Sequence, residues 1–495
     1  MAEIEAGPGG LAAAMRAAKP GDTVLLTRGI YRERLVADVP GVTWKAAEGA
    51  EVVLDGGWKV AAGPGDGQGG PPMVSVQASD VTLDGLVVRN SPGDNITVGG
   101  GGHNALLRNL RVDYSYSGGI IINGGTGYVR GVRIENCVIT RAGMSWEAGW
   151  KRNVSGSVNW VKAEDGGIYN SDIAYGYGEG NNFGKGSRRL KGKRVRVYDN
   201  AHLCFYFNRC TDSEYEECEA FLTGFAPRLV GGDTWPAGFV FGDEVSARAN
   251  TFPHSRGNKI RRCVVVNAGT LLSVRNNAKS DGYDTCLDAE TVIERNTFIA
   301  GPCTRAGLDI KENLQGRPHE AAVIRENVID VRHGQTGVDI ATSSSRAIYW
   351  RRNAWSATPP ALCRGEGDVN GFRLVAPDAP LRNNFPQPEH NLSLDNYRPP
   401  ALSPLIGAGA NGGTIGALSA ISVEPPPPPP PPDDDRLARA LALLDTAQQQ
   451  LEALAAAGNL AVEHIEGVRA QIAAMAYAQA GAADDVAAAR AVLEG

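Results

Sequence analysis

A chain of 495 residues has room for a large core and for two or three domains. Its formal net charge of −6 is spread along the chain, which argues against nucleic acid as a partner. No apolar run reaches the roughly 18 residues of a membrane-spanning helix, so no membrane insertion is expected.

The N-terminal stretch MAEIEAGPGGLAAAMRAAKPGD lacks a charged start followed by an apolar core, so it does not read as a secretory signal. Within it, Gly10–Ala18 has helix-compatible apolar spacing through Leu11 and Met15. We expect a capping helix in residues 1–20, because the first rung of a stack of strands has an open edge that recruits other strands unless covered.

From Val81 to Asn384 the chain repeats itself. LLRNLRV (Leu106–Val112), VRIENCVI (Val132–Ile139), VRVYDNAHL (Val195–Leu203), TVIERNTFI (Thr291–Ile299), AVIRENVID (Ala322–Asp330) and IYWRRNAWS (Ile348–Ser356) share one pattern. Each has alternating apolar residues, then an Asn, then a short apolar run. Alignment on that Asn makes one column of Asn109, Asn136, Asn200, Asn296, Asn327 and Asn353, with Gly85, Ser171, Cys218, Cys263 and Asn383 filling it elsewhere. Self-similarity at this period means stacked repeats. Period-2 alternation rich in Val and Ile means strands and not helix pairs. The expected fold is all-β, a single-stranded parallel β-helix over residues 21–420; a β-sandwich, the rival, would keep no fixed column. Asn suits a bend because it tolerates left-handed backbone, and stacked amides form ladders.

The segment AAKPGDTVLLTRGIYRERL (Ala17–Leu35), with VVLDGG (Val52–Gly57), resembles the opening coils of right-handed parallel β-helix proteins of the pectate-lyase-like and chondroitinase-B-like superfamily. The middle stretch Ala174–Asn208 and the closing Asn396–Leu418 are similar to the same proteins, the latter to their last rungs. The resemblance implies a right-handed coil. It implies no single activity, because such proteins include lyases, hydrolases, epimerases, phage tailspikes and non-catalytic surface proteins. The Lys–Arg and acidic metal-ligand pattern of a chondroitinase-B-like lyase is not reproduced.

Candidate chemistry follows from aligning CFYFN (Cys204–Asn208), GFVFG (Gly238–Gly242), LLSVR (Leu271–Arg275), GLDIK (Gly307–Lys311) and GVDIA (Gly337–Ala341). Strand alternation turns two apolar columns inward and leaves Tyr206/Val240/Ser273/Asp309/Asp339 and Asn208/Gly242/Arg275/Lys311/Ala341 facing out. Asp309 and Asp339 then lie on successive rungs, roughly 4.8 Å apart at the backbone, beside Lys311 and Arg275. Carboxylates so close repel, leaving an acid beside a base, at a separation near that of retaining glycosidases. Lys311 and Arg275 would instead neutralise a uronate carboxylate in lyase chemistry. Without catalysis, the same groups suit a charged sugar or a Ca2+ ion, or form a plain salt-bridge ladder. Tyr206 and Asn208 are candidate substrate contacts on this face. So are Trp146 and Trp150 in the long segment Arg141–Gly166, and Trp235 in Phe221–Asn258. Glu179, with Asp199 and His202 one rung on, is a further candidate pair.

The eight Cys show no CxxC pair and no metal-ligand spacing, so no metal centre is expected. Cys218 and Cys263 share a column on neighbouring rungs, either as buried thiols or as a disulfide.

Residues 421–435 contain eight consecutive prolines, Pro425–Pro432, a stiff polyproline II spacer. Asp433–Asp435 then cap a helix whose Leu437, Leu441, Leu444, Leu451 and Leu454 recur at coiled-coil spacing. The module 436–495 reads as an oligomerisation or docking unit, or as an independent three-helix bundle. The leading functional expectation is an extracellular or virion attachment protein recognising polysaccharide. The alternatives are a polysaccharide lyase or glycoside hydrolase, and a purely structural β-helix.

Overall fold

The computed structural model describes residues 2–57, 71–115, 117–123, 128–142, 144–145, 160–162, 168–170, 179–184, 186–200, 203–222, 237–244, 254–275, 285–301, 304–311, 319–331, 336–340, 348–372, 374 and 397–419. Contacts divide the chain into two units, Met1–Ile421 and Ser422–Gly495. The second, with the expected spacer and helical module, lies outside the described residues.

The first unit is a right-handed parallel β-helix. Its strands stack into three long parallel sheets, here named A, B and C, of twelve, twelve and ten described strands. One coil shows the plan: Leu106–Arg108 in sheet A, Arg111–Ser115 in sheet B, Ile120–Asn123 in sheet C, then Arg133–Glu135 back in sheet A. Leu106 pairs with Arg133, so one turn of chain climbs one strand. A small antiparallel sheet of Met144–Ser145, Trp160–Lys162 and Ile168–Asn170 stands apart from this order.

The A-to-B corner is only two residues long, and it shows that the expected Asn column is two columns. The first corner residue adopts positive φ on nine successive coils: Gly85, Asn109, Asn136, Arg194, Glu217, Arg262, Arg295, Glu326 and Arg352. Asn109 and Asn136 belong here, at φ 55° and 54°. The second corner residue faces the core and includes Cys218, Cys263, Asn296, Asn327 and Asn353, all fully buried. These three Asn form a true ladder. Asn296 Nδ2 donates to Asn327 Oδ1, and Asn327 Nδ2 donates to Asn353 Oδ1, each at 3.0 Å. The same amides also donate to the carbonyls of Ile260, Ile293 and Ile324. The two columns merge in sequence because an Asn follows a polar residue and precedes an apolar run in both. Asn200 belongs to neither: it follows Asp199 at the B-to-C corner, and its side chain accepts from the Ala142 N–H. Ser171 and Asn383 lie outside the described residues.

Inside the coil, like residues stack on like. Phe205 lies on Phe239 and Phe207 on Phe241, with ring centroids 4.7 and 4.8 Å apart and nearly parallel planes. That separation is the strand spacing itself, so each aromatic stack follows from register. Cys218 and Cys263 are buried free thiols, with the Cys218 N–H directed at Cys263 Sγ. Cys137, Cys204, Cys210 and Cys363 are likewise buried free thiols, and Cys286 is buried.

At the N-terminus, helix α1 (Leu11–Ala17) places Leu11 and Ala14 in the core. Glu33 of the next coil accepts from the N–H groups of Gly9 and Leu11 at its start. The expected capping segment also contains a strand, Glu3–Ala6, which pairs in parallel with Thr23–Leu26 as the first strand of sheet A. The closing segment differs from expectation too. Residues 397–418 are not a further rung. They run over the outer face of sheet B, where Tyr397, Leu405 and Ile415 pack with Tyr198, Phe221, Val264 and Ile299.

The ladder predicts unequal effects of two Asn substitutions. Asn327→Leu should cost roughly 3 kcal/mol or more, because it strands the buried Ile293 carbonyl and the Asn296 N–H. Asn109→Ala, which loses only exposed bonds to Asp84 and from Asn136 and strains a left-handed backbone, should cost about 1 kcal/mol. Urea unfolding midpoints measure both, and equal losses would contradict the two-column corner.

Candidate functional site

The three outer faces differ in chemistry. Along sheet A one outward column reads Lys45, Asp84, Arg108, Glu135, Lys193, Glu216, Arg261, Glu294 and Arg325, alternating in sign from coil to coil until Arg351 pairs with Arg325. Ion pairs follow, among them Arg108–Asp84 at 2.8 Å, Lys193–Glu216 at 3.3 Å, Arg261–Glu294 at 2.8 Å and Arg325–Glu294 at 2.6 Å. Burial alone would raise the Glu216 carboxyl, but Lys191, Lys193 and Arg262 outweigh it and hold the group at about 2. Each surface pair contributes little by itself, yet the alternation keeps like charges from facing each other across strands, which would destabilise the sheet. The salt-bridge ladder is therefore on sheet A. Sheet B is occupied by the C-terminal segment, with the Ala417 N–H bonded to Thr297 Oγ1 and the Gly416 N–H to the Glu326 carbonyl.

Sheet C is the remaining face, and its register is the expected one. Tyr206 pairs with Val240, Val240 with Ser273, Ser273 with Asp309, and Asp309 with Asp339. Acidic residues thus occupy paired positions on neighbouring strands, whereas the like-charged pairs of sheet A, Arg133 with Lys191 and Arg325 with Arg351, are cationic. Lys311 Nζ lies 2.8 Å from Asp309 Oδ1, with the two side chains 41 % and 23 % exposed. The Lys311 N–H donates to the Val274 carbonyl and the Arg275 N–H to that of Phe241, so both cations leave the same edge of sheet C on adjacent strands.

The other expected contacts fare differently. Tyr206 and Asn208 are on the outward column but buried. The Tyr206 hydroxyl donates to the Gly242 carbonyl at 2.7 Å, and Asn208 Oδ1 accepts from the Glu244 N–H. Leu203, Tyr206, Ala237 and Val240 form a separate apolar cluster outside the coil, which alternation alone does not reveal. Neither Tyr206 nor Asn208 offers a surface to a ligand here. Glu179 belongs to the sheet C strand Glu179–Phe183 and pairs with Leu203. Trp146, Trp150, Trp235 and His202, and the side chains of Glu179 and Asp339, lie outside the described residues. Asp199 is buried at its corner. Among the described residues no cluster of His, Cys, Asp and Glu is arranged to hold a metal ion.

Two polar centres near this edge escape sequence reading. His319 is buried, accepts the Leu287 N–H at Nδ1 and donates from Nε2 to the Lys311 carbonyl, each at 3.1 Å. It ties the backbone of Lys311 to a later turn of the chain. The second is built on Asp243 and His254, beyond the strand Ala237–Phe241. A His before an irregular segment carries no pattern that points to either role.

By sequence, no family model and no curated protein matches the chain. Among solved structures it is similar to the pectate lyase Pel9A, at 16 % identity, with 85 % of this chain and 96 % of that chain covered and a TM-score of 0.53. An alginate lyase from Paenibacillus sp. str. FPU-7 shares 12 % identity over 71 % of this chain and 99 % of its own, at a TM-score of 0.44. Dettilon tailspike protein shares 13 % over 74 % and 64 %, at 0.40. The chain has the right-handed parallel β-helix fold of the pectate-lyase-like proteins.

Burial lowers the His319 pKa from its ordinary value of 6.5. The unfolded chain therefore takes up a proton below about 6.5 while the folded chain resists, and stability present above that pH is lost as pH falls toward the depressed value. His319→Gln should lessen the fall in melting temperature across this window relative to the parent. Parallel curves would show that His319 does not titrate as described.

Proposed function

We propose that the protein binds an acidic polysaccharide along the outer face of sheet C, with Arg275 and Lys311 meeting the carboxylates of the sugar chain. The observation that carries this is the pairing of Asp309 with Asp339 beside two cations. Among the described pairings no other sets carboxylate against carboxylate, since like-charged pairs such as Arg133–Lys191 and Arg325–Arg351 are cationic, so this acidic pair points to a ligand. A mixed edge of cations and carboxylates matches a uronate polymer, whose residues present one carboxylate and several hydroxyls each. The pectate lyase that shares the fold is consistent with this reading.

The finer reading is an attachment or surface-display protein, such as a virion tailspike, fibre or decoration protein. It rests on the polyproline run and the leucine seam of 436–495, which suit a rigid spacer leading to a self-associating module. A second reading, cleavage of the bound polysaccharide, is favoured by the Asp243–His254 pair, a buried carboxylate 3.2 Å from an imidazole that is 28 % exposed.

Isothermal titration against polygalacturonate, alginate and neutral dextran tests the site. The double variant Arg275→Glu/Lys311→Glu should bind the acidic polymers at least roughly tenfold more weakly, the loss of a charged hydrogen bond, while keeping its circular dichroism. Binding of dextran as tight as that of the acidic polymers would remove the charge-based reading. A chain ending at Ile421 should keep the affinity and lose self-association, seen as a lower mass in light scattering. An unchanged assembly would remove the attachment role of 436–495.

A further inference from the structure

The chain enters sheet A through a second tight corner. Its left-handed place is held on successive coils by Asp80, Asn104, Gly131, Arg189, Asp212 and Gly257. The N–H of each of these from Asp80 to Asp212 donates to the carbonyl one place earlier on the next coil, which sets that earlier place in register. It reads Ser79, His103, Arg130, Arg188, Thr211 and Arg256. Each member follows a buried residue, among them Val129, Ser187, Cys210 and Ser255, so strand alternation turns the column outward. Every member carries a hydrogen-bond donor, and none is a carboxylate. Arg130, Arg188 and Arg256 are exposed, as is Arg189 in the left-handed place.

This column departs from the neutralised surface of sheet A. Arg130 pairs directly with Arg188, and Thr211 bridges Arg188 and Arg256. A few residues further along the same two coils, Arg133 also faces Lys191. There, however, Glu135 lies 3.5 Å from Arg133 and Glu216 lies 2.8 Å from Lys191. None of Arg130, Arg188, Arg189 and Arg256 makes an ion pair among the described residues. The carboxylates nearest in sequence, Asp80 and Asp212, stand in the left-handed place, and Asp80 accepts from Asn104 Nδ2 at 3.1 Å. Beyond Arg256 the chain turns acidic, with the Asp288 carboxylate accepting the Gly257 N–H at 3.1 Å. The strip of arginines is therefore bounded. At its other end the Arg188 guanidinium lies over the ring of Tyr128, 5.5 Å from the centroid, which restricts the side chain before any ligand arrives.

We infer that this corner is a second binding site, taking sulfate esters of a polysaccharide laid along the coil axis. It stands independently of the reading of sheet C. Like charges set opposite each other on paired strands destabilise a sheet, and an anion shared by Arg130 and Arg188 turns that repulsion into attraction. Guanidinium groups only donate hydrogen bonds, and a sulfate ester only accepts them. The hydroxyls of an unsulfated sugar need acceptors, which the mixed edge of sheet C supplies and this column lacks. Arg130 and Arg188 stand roughly 4.8 Å apart at the backbone, and Arg256 roughly 14 Å from Arg130. One tetrahedral group can bridge the first pair while another on the same polymer reaches Arg256.

Isothermal titration of the full chain with dextran sulfate, with unmodified dextran as the reference, tests the site. The parent should bind dextran sulfate more tightly than dextran, and less tightly as salt rises. Arg130→Ser/Arg188→Ser should bind it roughly tenfold or more weakly, the loss of charged hydrogen bonds, with unchanged circular dichroism. Arg16→Ser/Lys19→Ser removes the same charge from the exposed surface of the first coils and should bind within about twofold of the parent. Arg275→Glu/Lys311→Glu should keep most of the affinity. No binding by the parent, or an equal loss in the Arg16/Lys19 variant, would overturn the inference and leave the sheet C site standing. A loss confined to the Arg275/Lys311 variant would also overturn it, by moving the sulfated chain to sheet C. Polygalacturonate or duplex DNA held through Arg130 and Arg188 as tightly as dextran sulfate would overturn the assignment to sulfate.

Discussion

The corner between sheets A and B is the constraint on which the structure depends. It has two residues, one in left-handed conformation and one facing the core, and this repeats from Gly85 to Arg352. A corner this short leaves no slack, so each coil delivers its sheet B strand in the same register as the coil below. Register in turn stacks Phe205 on Phe239 and Asn296 on Asn327. The left-handed place is filled by Gly or Asn on the early coils and by Arg or Glu on later ones, where strain of about 1 kcal/mol per residue is offset by neighbouring contacts. Arg295 and Glu326, both left-handed, are ion-paired to each other at 2.9 Å.

The same register makes the faces legible as surfaces. Along the sheet A column from Lys45 to Arg325, charges alternate from coil to coil. Where the chain covers a face, apolar residues collect under an added segment, as on sheet B under 397–418. Sheet C follows neither rule at its later coils. There, acidic residues are paired, cations leave the edge beside them, and two buried groups, His319 and Asp243, hold the backbone or the side chains in place. A face that pairs acidic positions beside cations fits one whose partner is another molecule.

The Asp243–His254 pair and the Arg275–Lys311 edge belong to one strip because the coil returns to the same edge at each turn. Residues 209, 243, 275 and 311 are distant in sequence and successive in space. The chain between sheets C and A can therefore vary in length without disturbing the strip, provided each passage ends on the next coil in register. This separation of scaffold from inserted chain is how a solenoid presents chemistry on an otherwise uniform surface.

The repeat by itself determined the fold class and the pairing of Asp309 with Asp339, because period-2 alternation and a recurring corner are local properties that survive without any knowledge of packing. It also placed Lys311 and Arg275 on one edge, since both end the same short motif. Only the tertiary structure separated the Asn column into two, because a left-handed Asn and a buried Asn look alike between a polar residue and an apolar run. It alone showed Tyr206 and Asn208 to be buried, since outward from the coil is not the same as open to solvent. And it alone brought Asp243 to His254 and His319 to Lys311, because those contacts join a strand end to an irregular segment, where no periodicity runs.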